Sequence, residues 1–394
     1  GVALVLGVWV GLALVLSGIA AMYFVANVPM TAVMATTIWS ASASWTLAAL
    51  PLFVWMGEIL FRTRLSEELF RGLAPWVGRL PGGLVHVNVL ACGIFGMVSG
   101  SSAATCATIG KIALPELTKR GYDEKLAIGS LAGSGTLGLL IPPSIIMIVY
   151  AVQAEVSLLQ MFLAGFLPGG VVMVLYCGYI AIVSLLNPDK QPPSEPWMGF
   201  RRAFKESANL IPTILLILFV FGALISGSAT ATECAAWGVA GALIIAWLQG
   251  SLTFQSFWAS VMGATRTTAM IMLILGGAAF MSAAMAYTQI PAAIADGVSR
   301  LNLGPGMLIA CLTLFYIVLG MFLDGISMIV LTMAIVLPLV QKAGFDLIWF
   351  GIFVVLVVEM AQVSPPVGFN LFVLQSMSGR DSWTVAYAAL PFFI

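Results

Sequence analysis

Oxygen-bearing residues in this sequence gather in a few short stretches that interrupt long apolar runs. Ser99-Gly100-Ser101-Ser102 is the first, and Gly133-Ser134-Gly135-Thr136 ahead of Pro142-Pro143 is the second. The run GMFLDGIS carries Asp324, Gly325 and Ser327, and Val363-Ser364 leads into Pro365-Pro366 and Gly368. Glycine permits a tight turn, and each proline removes an N–H and leaves a carbonyl without its helical partner. Hydroxyls and freed carbonyls are hard oxygen ligands of the kind Na⁺ takes, whereas exposed N–H groups at a half-helix start favour an anion. A structural reading stands beside this one, since Ser and Gly ease helix packing and kinked helices need no ligand.

Asp324 is the sharpest single residue, because an acid inside an apolar run is costly and marks a functional site by default. It could ligate Na⁺, carry a proton or hydrogen-bond a solute. Glu359, five residues before Ser364, reads equally well as a structural partner. Ser144 and Asn370 lie just beyond the two proline pairs, where they could face a solute or satisfy nearby backbone. Glu58 and Lys111 fit charge placement at a membrane interface. His86 is the only histidine. Hydrolysis within a membrane would need a Ser99–His86 dyad, yet no GxSxG elbow is present. No Walker A sequence occurs either, so ATP does not drive this chain directly.

The elements that must position these residues follow from composition. Of 394 residues, 61% are hydrophobic and only 8% charged, where a soluble protein would carry about 25% charged. The fold class expected is an all-α polytopic membrane protein without a separate soluble domain. Balanced charge argues against a nucleic-acid partner. The five cysteines stand singly in apolar runs, without metal-ligand spacing. Crossing a bilayer takes about twenty residues, whereas the piece before each interruption is about fifteen, or roughly 22 Å of helix. Such pieces enter partway and turn back, and irregular backbone at that depth must be buried in protein or line a watery cavity. Two re-entrant hairpins and two discontinuous helices are therefore expected. Gly1 is not a start residue and Ile394 falls inside an apolar run, so flanking residues are expected too.

The second half repeats the first. Leu114-Pro115 precedes Lys119, Gly121, Tyr122 and Asp123, and Leu337-Pro338 precedes Lys342, Gly344, Phe345 and Asp346 at identical spacing. Pro142 follows Pro115, and Pro365 follows Pro338, by the same 27 residues. Upstream, Pro81-Gly82 precedes Gly96-Met97 as Pro305-Gly306 precedes Gly320-Met321. Loops around the first interrupted segment hold Arg62, Arg64, Arg71, Arg79, Lys119, Arg120 and Lys125, and those around the second hold only Arg300 and Lys342. Basic residues collect on the cytoplasmic side, so the copies should be inverted. An odd number of spans between the hairpins agrees with that, and it puts the linker with Lys190, Arg201, Arg202 and Lys205 inside.

The division expected is 1–80 for N-terminal scaffold helices and 81–152 for the first hairpin and broken helix. Residues 153–260 hold further scaffold helices and the Asn187 to Glu206 linker, and 261–304 an entry helix and outer loop. The second hairpin and broken helix take 305–377, and a C-terminal helix takes 378–394. Asn27 to Ala43 reads as a polar connection at the interface.

The runs GMVSGSSAATCATIGKIALPELTKRGYD, GSGTLGLLIPPSIIMIVY and SPPVGFNLFV, with PLFVWMGEIL near the start, closely resemble the large membrane subunit of tripartite ATP-independent periplasmic (TRAP) transporters. The resemblance covers most of the chain. It implies an elevator carrier whose mobile domain holds both hairpins and both broken helices. It also implies a small membrane subunit bracing the scaffold, a periplasmic binding protein delivering the solute, and coupling to two or more Na⁺. Carried over by motif, sodium sites would join Ser99, Gly100, Ser101 and Ser102 to Gly133, Ser134, Gly135 and Thr136. Gly325 and Ser327 would pair with Val363, Ser364 and Gly368. Asp324, Ser102 and Ser144 would lie nearest the substrate, and Asn370 joins them by its place after the second proline pair.

The function expected is import of a small organic anion (carboxylate, sialic acid or sulfonate) across a bacterial inner membrane. A stand-alone dicarboxylate carrier of related fold would work without a binding protein. An intramembrane hydrolase would require His86, and a passive channel would conduct without alternating access. The sequence supports neither of the last two.

Overall fold

The computed structural model describes residues 9–25, 29–63, 65–188, 191–192, 199–289, 293, 297, 304–365 and 368–393, and among them every regular element is helical. The first half folds as α1 (Val10–Val25), α2 (Met30–Ser42), α3 (Ala49–Phe61), α4 (Leu65–Val77), α5 (Val85–Ser99), α6 (Ser102–Lys119), α7 (Glu124–Leu140), α8 (Ile145–Gln153) and α9 (Leu158–Leu186). The second half supplies α10 (Phe200–Ser207), α11 (Ile211–Ile225), α12 (Ala231–Leu248), α13 (Phe254–Thr288), α14 (Pro305–Gly320), α15 (Gly325–Lys342), α16 (Leu347–Gln362), α17 (Phe369–Ser378) and α18 (Ser382–Phe393). Arg64, Lys190, Arg300 and Pro366 lie outside the described residues.

Helix length sorts these elements. Among the described residues, five helical stretches are long and apolar enough to cross a membrane: α9, α10 with α11, α12, α13 and α15. By contrast α5 has 15 residues and α14 has 16, so each stops short of a hydrocarbon core about 30 Å thick. α5 turns back into α6 at Gly100, whose φ of +58° is open to glycine at little cost. α14 turns back into α15 through residues 321–324, and Tyr316 Oη meets Thr332 Oγ1 at 2.8 Å across the two arms. α15 is itself long and apolar enough to span a membrane, and that contact pairs it with α14 as the second arm of a hairpin.

Each hairpin leads into a broken helix. α7 and α8 meet at 42°, because Pro142 and Pro143 supply no N–H and α8 restarts on Ser144 as its N-cap. α16 ends at Gln362 and α17 begins at Phe369. The two broken helices run antiparallel. Arg380 beyond α17 bonds Glu124 at the start of α7 at 2.6 Å, and at the far end Tyr150 of α8 donates to the Leu347 carbonyl of α16 at 2.6 Å. α6 of the first hairpin packs on α17, and α15 of the second packs on α8. The inverted duplication is thus visible as packing, with each copy embracing the other.

The flanking helices form a second layer. α1 lies along α13, with Gly11 against Leu273 and Gly18 against Phe280, so the two run parallel at close approach. α3 packs on α12 and α13, and Trp55 Nε1 donates to Ser260 Oγ at 3.2 Å. Within the stretch Asn27 to Ala43, expected to be an interfacial connection, Asn27 lies outside the described residues and Met30–Ser42 forms α2, with Ile38 facing Gly276 of α13. Its threonines donate back to helix carbonyls (Thr36 to Ala32 at 2.8 Å, Thr37 to Val33 at 2.6 Å), so a polar composition still closes a helix. The Asn187 to Glu206 linker is likewise shorter than expected. Residues from Phe200 onward are helical, and Ser207 ties α10 to α4 by donating to the Gly72 carbonyl at 2.7 Å. α9, grouped by sequence with the scaffold, packs on α5, α7, α8 and α16.

Candidate functional site

At the first hairpin tip Ser101 caps α6 in an extended conformation, its Oγ accepting from Ala104 N at 3.5 Å. Ser99 Oγ meets Thr105 Oγ1 at 2.7 Å, and that threonine donates to the Ser101 carbonyl at 2.8 Å. A methyl placed on Gly100 would lie 3.4 Å from the Pro143 carbonyl oxygen, so the tip touches the break of its own repeat as expected. Gly138 of α7 also faces the tip, where a methyl would stand 3.1 Å from Thr105 Oγ1.

The second tip is built on the same plan. Asp324 caps α15, with Oδ2 accepting from the N–H groups of Ile326 and Ser327, both at 3.2 Å. Its other carboxylate oxygen takes no part in this cap. Ser327 Oγ is buried without a hydrogen-bond partner. In the facing break Ser364 donates to the Met360 carbonyl at 2.9 Å, and a methyl on Gly368 would come within 2.7 Å of the carbonyl oxygens of Gln362 and of Ser364. Two carbonyl oxygens therefore converge where only glycine fits.

The two tips meet at a residue that sequence reasoning passed over. Ser102 donates its hydroxyl to Gln362 Oε1, a bond from the first hairpin to the other repeat's broken helix. The Gln362 amide nitrogen lies 3.2 Å from where a methyl on Gly325 would be. The signal was present in the sequence as an amide inside the apolar run VVEMAQVS, two residues before Ser364.

Other expectations change. Gly133 to Thr136 is not a break: these residues are helical within α7, which continues to Leu140. Ser134 donates to the Ser130 carbonyl at 2.5 Å and Thr136 to that of Gly133 at 2.7 Å, so both hydroxyl protons are used within their own helix. Gly133 packs on Phe392 and Gly135 on Cys106, so these glycines serve close approach by neighbouring helices. Ser144 caps α8, accepting from Met147 N at 3.4 Å. Asn370 donates to the Ala132 carbonyl at 3.4 Å and leaves Oδ1 buried without a partner. Glu359 is buried beside the Leu140 backbone, with Oε1 unpartnered.

His86 Nε2 donates to the Pro81 carbonyl at 2.8 Å, at the opposite end of α5 from Ser99. Ser99 is engaged by Thr105, so no Ser–His dyad forms. Glu58 accepts from Arg62 at 3.0 Å, one turn along the same helix, and Lys111 is exposed. Among the described residues no group of three His, Cys, Asp or Glu side chains could hold a metal ion. The oxygens at the tips are hydroxyls and carbonyls, joined at the second tip by the single Asp324 carboxylate, and such oxygen donors suit a hard cation.

A cleft of about 740 Å³ opens between α2 and α13 on one wall and α15 and the end of α8 on the other. Thr36, Thr37, Ser40, Ser282, Gln153 and Gln341 give it polar walls. It stops short of the tips: its lining residue on α15 nearest the tip, Met333, is six residues from Ser327, or roughly 9 Å of helix.

The family description "Tripartite ATP-independent periplasmic transporter, DctM component" matches residues 2–394. The chain belongs to this family. It is therefore a transport component and not an enzyme. One DctM relative is the C4-dicarboxylate TRAP transporter large permease protein of Pseudomonas aeruginosa, 31% identical over 92% of this chain and 84% of its own. The sialic acid TRAP transporter large permease protein SiaM of Vibrio cholerae is 27% identical over 89% of this chain and 82% of its own. Among solved structures, the Alcanivorax borkumensis YdaH transporter shares the fold, with a TM-score of 0.63 at 12% identity over 91% of this chain and 84% of that one. The DctM family and the apolar helices together make the chain a multi-pass membrane protein.

Proposed function

We propose that this chain is the translocating subunit of a sodium-coupled importer that carries a small organic anion across the bacterial inner membrane. The observation that carries the reading is the meeting of two inverted hairpin tips at Gln362, with hydroxyls and carbonyls on both sides. Two or more Na⁺ would bind there. Ser99, Ser101 and Ser102 with the Pro143 carbonyl would serve one, and Ser327 with the carbonyls of Gln362 and Ser364 beside Gly368 the other. Gly100, Gly325 and Val363 supply backbone to those turns. Asp324, Ser144 and Asn370 would lie on the solute side.

Cation binding offsets the cost of moving polar groups through the membrane, and an empty tip keeps that cost. Hairpins and broken helices would then slide as one body against α1–α3 and α11–α13, an elevator movement. The names of relatives, which include C4-dicarboxylate and sialic acid permeases, support an anionic solute. Membership of a tripartite family supports two partners, a small membrane subunit and a periplasmic binding protein.

The test is uptake of labelled C4-dicarboxylate and sialic acid into proteoliposomes holding both membrane subunits. We expect uptake only with the binding protein and an inward Na⁺ gradient. Equal uptake in K⁺ with an imposed proton gradient would remove sodium from the mechanism. Full uptake without the binding protein would select a stand-alone carrier.

A further inference from the structure

We propose that Gln362 is a positioning residue that sets the polarity of the Ser102 hydroxyl, so that the first tip presents oxygen lone pairs to a cation. The inference rests on the sodium reading given above.

A serine hydroxyl has one proton to donate and two lone pairs to offer. Ser102 is 5% exposed and Gln362 is 5% exposed, so water does not compete for that proton. Gln362 Oε1 accepts it. With its proton committed, Ser102 can only accept from, or ligate, anything else that approaches. That suits Na⁺ and excludes hydrogen-bond donation to a solute carboxylate. The two roles that sequence reasoning left together at Ser102 are thereby separated, in favour of the cation.

The Gln362 amide nitrogen turns toward the second tip, where Gly325 has no side chain to block it. A rotation of the amide by half a turn would aim N–H at Ser102 and release the hydroxyl proton. Gln362 thus lies between the Ser102 hydroxyl of the first tip and Gly325 of the second. The first repeat differs at the equivalent position: the counterpart of Gln362, counted back from the proline pair, is Leu139, whose side chain has no acceptor. The asymmetry confines the control to one tip.

The experiment measures Na⁺-dependent thermal stabilisation of the purified full chain, titrated with NaCl against KCl at constant ionic strength. Ser102→Ala and Gln362→Met should each raise the Na⁺ midpoint about tenfold, the loss expected for one charge-assisted contact. The double variant should be no worse than either single one, because the glutamine acts through the serine. Gln362→Glu keeps an acceptor oxygen in place and should hold the midpoint at or below the wild-type value. If Gln362→Met fails to fold, Gln362→Leu takes its place. An unchanged midpoint in the apolar variant, or independent additive losses in the double variant, would overturn the proposal. A wild-type chain that K⁺ stabilises as well as Na⁺ would instead overturn the sodium reading, and this proposal with it.

Discussion

Ser101 and Asp324 hold the same place in the two inverted hairpins, each capping the returning helix from an extended N-cap. The exchange of a hydroxyl for a carboxylate therefore leaves the turn intact and adds a charge to one tip only. Loss of the cap in Asp324→Ala should cost about 0.5–2 kcal/mol. Asp324→Asn keeps an acceptor for Ile326 and Ser327 and should melt within about 0.5 kcal/mol of wild type. We expect uptake to fail in both variants. A transport-competent Asp324→Asn protein would reduce the aspartate to a cap.

Gly96 and Gly138 bring α5 and α7 together behind the first tip. A methyl on Gly96 would lie 2.6 Å from Gly138 Cα, which is backbone and cannot swing away. Gly96→Ala should destabilise by about 1–3 kcal/mol through overpacking. Gly170, an exposed glycine of α9 with nothing within 4 Å of an added methyl, is the control. Its replacement by Ala should stabilise by about 0.4–1 kcal/mol. Thermal melts of both variants in the same detergent check the opposite signs.

Glu359 packs inside the bundle with an unpartnered carboxyl oxygen. A buried carboxylate left charged costs more than a neutral amide of the same shape. Glu359→Gln should be neutral or stabilising by up to about 2 kcal/mol. A marked fall in melting temperature would mean that a cation pairs with Glu359 in the assembled protein.

Arg380 and Glu124 clasp the outer ends of the two broken helices, with side chains 54% and 44% exposed. An exposed pair of this kind contributes roughly 0.2–1 kcal/mol. Arg380→Glu and Glu124→Arg should each lose that amount, and the swapped double variant should regain it. A double-mutant cycle at low and high salt reads the coupling, which should shrink as salt rises. No coupling at low salt would show that packing alone holds these ends together.

Asp381 follows Arg380 in the short connection to α18. The Thr384 hydroxyl and N–H, at 2.5 and 3.1 Å, hold its carboxyl below the usual aspartate range. A depressed folded-state value contributes stability above the ordinary aspartate pKa and loses it as pH falls through the lowered one. Amide exchange at Thr384 and Val385 should therefore speed up on acidification past that point, and Asp381→Asn should abolish the pH dependence.

By itself the sequence determined the two helical hairpins, the duplication, its inversion and the family. Each of these depends on local features: how many apolar residues precede a Ser/Gly or Pro-Pro interruption, and where arginine and lysine fall. Tertiary structure decided which polar atoms remain available. Gly133 to Thr136 resembles an interruption in composition, yet its hydroxyls bond their own helix and its glycines admit Phe392 and Cys106 from distant segments. Asn27 to Ala43 looks like a connection until α13 offers Gly276 to Ile38. Ser102 and Gln362, 260 residues apart, become partners only when the two copies interlock. Residue type states what an atom can donate or accept, whereas packing states whether it has already done so.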